Sequence, residues 1–167
     1  ASAYRLIGYE NRLLQKEDFN DDKKDAGEIG SGHTVTALYE VVPPGVPVAI
    51  PGVDPLKYQK PAPPSADPGR ELLTVKLRHK EPEGETSRLT EVSFTDRNRP
   101  FERASADFRF AAGVAEFGML LRGSPHKGNA GYEGLLDLLD EDLLGKDLGG
   151  YRRELRDLVR TARDLGR

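Results

Sequence analysis

At Ser105 the hydrophobic period of this chain changes from two to about 3.6, and that switch constrains the fold more than any other feature of the sequence. Ahead of it, Leu73, Val75 and Leu77 alternate with Thr74, Lys76 and Arg78, the pattern of a strand over 71–80 with one apolar face. Glu81-Pro-Glu-Gly-Glu85 carries turn chemistry, and Thr86–Thr95 returns as the partner strand, which predicts Val92 and Phe94 on the buried face. Beyond the switch, Ser105 is a suitable N-cap, and Asp107 places a carboxylate where the helix dipole favours one. The helix from there to Arg122 is apolar over most of its circumference, so it should be the most buried of the helices. Gly123 stops it. A leucine stripe (Leu135, Leu136, Leu139, Leu143) predicts a second helix over 132–144. Tyr151, Leu155, Leu158, Val159, Ala162 and Leu165 predict a third after Gly150.

Further strands are expected upstream. Tyr4–Arg12 reads as the first, and a polar loop, 15–27, follows it. Three glycines (Gly27, Gly30, Gly32) then bend the chain into a β-branched and aromatic run, His33–Val42, which carries apolar side chains on both faces. Such a run predicts a central strand covered on both sides. Nine of the twelve prolines fall within 43–69. Proline removes a backbone donor and fixes φ, so that segment is expected to be a long extended excursion rather than sheet interior or helix. The fold class is therefore α+β. An antiparallel, sandwich-like β region (1–103, with the excursion at 43–69) precedes a region of three helices (104–167) packed on the sheet.

Composition excludes several classes. The 167 residues are enough for one domain with a real core. The absence of cysteine removes disulfides, thiolate metal sites and cysteine nucleophiles, and only three histidines remain for catalysis. A net charge of −3 gives the whole molecule no electrostatic footprint for nucleic acid or an anionic membrane. No apolar run is long enough to insert in a bilayer. The chain opens almost directly on a strand-like segment, which is expected of a piece of a longer polypeptide, so the missing export signal carries no weight.

Several stretches together resemble one family. They are Tyr4–Arg12, Asp18–Asp22, Asp25–Glu40, Glu71–Arg78 and the long Asp107-Phe-Arg-Phe-Ala-Ala-Gly-Val-Ala-Glu-Phe-Gly-Met-Leu-Leu-Arg122. They are similar to the C-terminal region, of unknown function, of bacterial von Willebrand factor type A domain proteins. The similarity covers nearly the whole chain and is weakest in the proline-rich excursion and the last helix. In that family an upstream type A domain carries a metal-ion-dependent adhesion site with an Asp-x-Ser-x-Ser motif. This chain has no such motif, so the resemblance brings no metal and no cofactor to any of its residues. It implies instead an envelope or secreted parent protein, lipid-anchored, with the type A domain of the same polypeptide as this chain's partner.

Each candidate site has a plainer reading beside it. Asp18, Asn20 and Asp22 have the spacing that opens a calcium loop. However, Lys23 and Ile29 stand where that loop needs glycine and a bidentate glutamate, so a solvated acidic turn is the expectation. His33 lies near Glu28, a pairing suited to acid–base work, yet no nucleophile is spaced to join them. His79 is assigned to the exposed phase of its strand, and His126 to a loop. The glycines at 27, 30 and 32 open a strand, whereas a phosphate cradle opens a helix. Arg152, Arg153, Arg156, Arg160 and Arg163 suit nucleic acid or anionic lipid, but the preceding helix is acidic (Glu133, Asp137, Asp140, Glu141, Asp142), so the expectation is that the two sets face each other across an antiparallel pair or solvate separate faces.

The leading expectation is a non-enzymatic structural and protein-interaction module that supports an adjoining type A domain. An independent adhesion or ligand-binding module using residues 43–69 is the alternative. A hydrolase built on His33 is the third reading.

Overall fold

The computed structural model describes residues 1, 3–8, 15–24, 27–43, 46, 71–140, 143, 145 and 147–166. The chain divides into two compact units, Ala1–Asn98 and Arg99–Arg167. The first is built from strands and the second from helices, so the α+β class stands.

In the first unit β1 (Ala3–Ile7) pairs antiparallel with β2 (Leu38–Val42), setting Tyr4 opposite Val41 and Leu6 opposite Tyr39. The hairpin of β3 (Glu71–His79) and β4 (Arg88–Thr95) sets Leu73 opposite Phe94 and Val75 opposite Val92. Every pairing is antiparallel, as expected, but the strands form two separate two-stranded sheets. The turn between β3 and β4 falls where the Pro and Gly residues placed it, closed by the Gly84 N–H donating to the Glu81 carbonyl at 2.8 Å. Leu72 interrupts the register at the start of β3, and the Ala1 amino nitrogen donates to its carbonyl at 2.8 Å.

Two expectations need correction here. The strand foreseen over His33–Val42 begins only at Leu38, because Leu38 faces Ile7, the last residue of β1, and residues 33–37 lie beyond the paired length. Nor is it a covered central strand: among the described residues β2 pairs only with β1, and Tyr39 is 55% exposed. The second half of the Tyr4–Arg12 strand and nearly all of the proline-rich excursion lie outside the described residues.

The second unit comprises α1 (Ala106–Leu121), α2 (Tyr132–Leu138) and α3 (Tyr151–Asp164). Ser105 caps α1 as its sequence implies, its hydroxyl accepting from the Phe108 N–H at 3.2 Å. Gly123, in the left-handed region at φ +58°, ends the helix. Its N–H reaches the Leu120 carbonyl, and the Ser124 N–H reaches that of Met119, the paired bonds of a Schellman motif. The start of α3 has no capping side chain at Gly150. Asp147 supplies the acceptor from three residues earlier, taking the N–H groups of both Arg152 and Arg153 at 3.0 Å.

The core of this unit is centred on Leu135, Leu139, Leu143 and Val159, all with no exposed surface, together with Leu120 and Leu155. As its apolar circumference implied, α1 keeps the smallest share of exposed residues among the three helices. The fully enclosed side chains are Leu135 of α2, Leu139 and Leu143 beyond it and Val159 of α3, while Phe108, Val114 and Leu121 on the outer side of α1 stay about half exposed. The apolar stripe of α3 likewise divides: Leu155, Val159 and Ala162 are buried, whereas Tyr151, Leu158 and Leu165 run along its exposed edge at a seven-residue spacing. Arg152 spans the unit. Its guanidinium lies over the Phe110 ring, donates to the Leu143 carbonyl at 2.9 Å and pairs with Asp107.

At Gly113 α1 lies close against α2, for a Cβ there would stand 3.4 Å from Leu135 and 3.5 Å from Leu138. Gly113→Ala therefore fits and is expected to stabilise the unit by about 0.5–1 kcal/mol through helix propensity. Gly113→Leu overfills the same gap and should cost about 1–3 kcal/mol. Chemical denaturation of the two variants checks both signs.

Burial raises the pKa of Glu116, also on α1. A raised folded-state value means that the cost of the charge is fully present above it and disappears below the ordinary value of 4.5. Glu116→Gln should accordingly raise the melting temperature at neutral pH and leave it unchanged in acid, a difference that thermal melts at the two pH values resolve.

Candidate functional site

The loop of residues 15–24 is fastened to the hairpin by a polar latch. Arg78 on β3 donates to Asn20 at 2.9 Å, to Asp22 at 3.0 Å and to Ser87 Oγ at 2.7 Å. The Ser87 hydroxyl in turn donates to Asp22, and Lys80 donates to the Asp22 backbone carbonyl. Asp18 pairs with Lys24 at 3.5 Å. The three residues with calcium-loop spacing are thus engaged by basic groups of the chain itself, and Asn20 and Asp22 converge on a guanidinium. Among the described residues no group of three His, Asp or Glu side chains is placed to hold a metal ion.

The Ser87 hydrogen bond, aided by the nearby charges of Arg78 and Lys80, lowers the Asp22 pKa from its ordinary value of 3.8. A depressed folded-state value gives a stabilising contribution that is present above the unfolded pKa and lost as pH falls through the folded one. The latch should therefore hold at neutral pH and open in acid below the ordinary carboxylate range. Asp22→Asn should loosen the loop at neutral pH, make no difference in acid where the latch is already open, and so abolish that dependence. NMR titration of the carboxyl and limited proteolysis between residues 15 and 24 read both effects.

Arg78 belongs to the polar face of the hairpin, which also carries a Lys76–Glu91 cross-strand ion pair of 2.7 Å. The opposite face is apolar: Leu73, Val75 and Leu77 on β3 lie across from Phe94, Val92 and Thr90 on β4. The sequence alternation predicted this face but placed Val92 and Phe94 in a core. In the structure Val75, Leu77, Val92 and Phe94 are each more than half exposed. Alternation identifies which face is apolar and carries no information on what covers it. The other sheet repeats the pattern, with Tyr4 and Tyr39 exposed and their rings 6.3 Å apart on the face away from the Arg5–Glu40 ion pair.

The histidines stay apart. His33 closes a turn, its N–H donating to the Gly30 carbonyl at 3.0 Å, with Gly32 at φ +78° in the position where a type II turn requires glycine. The imidazole folds back over Gly30, 2.7 Å from where a Cβ would stand there. Among the described residues no carboxylate forms an ion pair or hydrogen bond with it, so the pairing with Glu28 that acid–base work would need is not made. His79 is exposed but was assigned to the wrong phase: its register, opposite Arg88, puts it on the face of Leu77. His126 is exposed, its backbone N–H bonded to Ser124 Oγ.

The arginines of α3 mostly meet carboxylates or carbonyls. Arg160 pairs with Asp157 at 3.1 Å, and Arg163 pairs with Asp164 at 2.9 Å and with Glu133 of α2 at 3.5 Å. Glu141 and Asp142 lie outside the described residues. No described helix is long and apolar enough to cross a membrane.

Sequence reasoning missed the roles of Arg78 and Ser87. The acidic loop was visible, but its cationic partner is 58 residues away along the chain, and no local pattern announces such a bond.

The fold and these surfaces define a small α+β module with a latched loop and an open apolar hairpin face. The matching family model, described as "Uncharacterized protein YfbK, C-terminal", spans residues 1–165, and the chain belongs to this family. The protein printed as "Uncharacterized protein YfbK" from Escherichia coli (strain K12) is 38% identical over 163 residues. That match covers 95% of this chain and 27% of the relative, so the chain spans about a quarter of the length of the curated relative. No solved structure matches it.

Proposed function

We propose that this chain is a non-enzymatic interaction module that packs against the region preceding it in a longer polypeptide and supports that region. The observation that carries this reading is the open apolar hairpin face, with Val75, Leu77, Val92 and Phe94 each more than half exposed. A two-stranded sheet is marginally stable alone and gains stability when its apolar face is covered. The family description, which names a C-terminal part, and the much greater length of the Escherichia coli relative support the existence of a region to pack against. The resemblance of the sequence motifs makes that region a von Willebrand factor type A domain and the parent an envelope or secreted protein. Metal-dependent binding then belongs to the type A domain, and this chain contributes rigidity and orientation.

A protease site inserted just ahead of Ala1 in the full-length polypeptide tests the reading. After cleavage the two pieces should stay together through size-exclusion chromatography at micromolar concentration. Separation of intact, folded pieces would contradict it.

A further inference from the structure

The open hairpin face has a specific candidate to cover it. The chain's own loop 15–24 is latched to the polar side through Arg78, and on the opposite side, among the described residues, Leu73 is half-buried while Val75, Leu77, Val92 and Phe94 are each more than half exposed. The chain begins close by. The Ala1 nitrogen is hydrogen-bonded to the carbonyl of Leu72, so a residue preceding Ala1 would leave the module beside the first residues of β3. Most of the length of the Escherichia coli relative lies outside the segment matched to this chain. A tethered segment starting at that point meets the face at an effective concentration in the millimolar range, so a modest apolar contact suffices to seat it. A second copy in solution has no such advantage.

We propose that the face formed by Leu73, Val75, Leu77, Val92 and Phe94 seats polypeptide that precedes Ala1 in the full-length protein, through apolar β-branched or aromatic side chains that complete the cover of the hairpin. This rests on the module reading, which already singles out this face, and adds the stretch of polypeptide that occupies it and the kind of side chain it uses. Lys76 and Glu91, paired with each other on the far side, take no part in it.

The test uses the full-length polypeptide with photoreactive benzoylphenylalanine at position 94, where an exposed aromatic side chain already stands, and separately at position 91 on the polar face. On irradiation the probe at 94 should cross-link within one molecule to a peptide preceding Ala1, at a yield at least tenfold above that from 91. Capture of a second copy, capture of residues within 1–167, equal yields from the two positions, or no capture at 94 would each overturn the proposal. Cleavage ahead of Ala1 in the same preparation separates the two readings. Pieces that stay together without capture at 94 leave the module standing with its contact elsewhere, whereas pieces that separate remove both.

Discussion

Replacing Leu139 by alanine lowers the stability of the helical unit by about 2–5 kcal/mol, a large share of what a unit of this size possesses. Leu139 has no exposed surface, and its side chain lies among Leu135, Leu143 and Val159, facing Gly113 of α1. It follows the last turn of α2, with its N–H bonded to the Leu135 carbonyl, so truncation leaves the helix ending intact and removes packing alone. The short α2 can move little to fill the void while it is held between α1 and α3, which places the cost in the upper part of the range. Leu158→Ala is the matched control. It deletes the same atoms from the exposed edge of α3 and should change stability by no more than about 0.5 kcal/mol. Urea unfolding followed by far-ultraviolet circular dichroism measures both.

Val92→Asp is expected to behave in the opposite way. In the isolated chain Val92 is 58% exposed, so the aspartate is solvated and the substitution costs only the difference in β-propensity, within about 1 kcal/mol. Against the preceding region the same change forfeits the transfer energy of an apolar side chain and forces a charge out of water. Association between the cleaved pieces should weaken at least about 100-fold. Val92→Thr keeps the β-branched shape and should weaken it far less, which separates loss of the contact from loss of the strand. Isothermal titration of the two pieces gives the ratio. An unchanged affinity for Val92→Asp would place the contact elsewhere on the module.

These two residues also mark how far the sequence could be read. Both sit at apolar positions of clear periodic segments; periodicity correctly assigned Val92 to a strand, whereas Leu139, expected within a helix over 132–144, falls just past the end of α2. Local signals did well wherever the cause is local: the Ser105 cap, the Gly123 stop and the Pro- and Gly-bearing turn after β3 all fall where side-chain chemistry put them. Burial depends on what lies across the surface, and there the pattern was silent. It marked α1 as the innermost helix, and α1 does keep the smallest share of exposed residues, yet nothing in the pattern told that Phe108, Val114 and Leu121 would stay about half exposed. It extended β2 back to His33 because β-branched residues favour strands, although a strand lasts only as long as its partner. The latch was invisible for a related reason. Asp22 looked like a ligand in search of a cation, and the cation is Arg78, brought from a distant strand.

The central claim is that the strand unit is completed by the polypeptide preceding it. Amide hydrogen exchange, compared between the isolated chain and the full-length protein, tests this most directly. The account predicts that amides of 71–95 exchange at least tenfold more slowly in the full-length protein, while those of 132–139 and 155–162, enclosed within the helical unit, are equally protected in both. Equal protection of 71–95 in the two samples would contradict it, leaving the hairpin a self-sufficient element whose apolar face is exposed in the full-length protein as well.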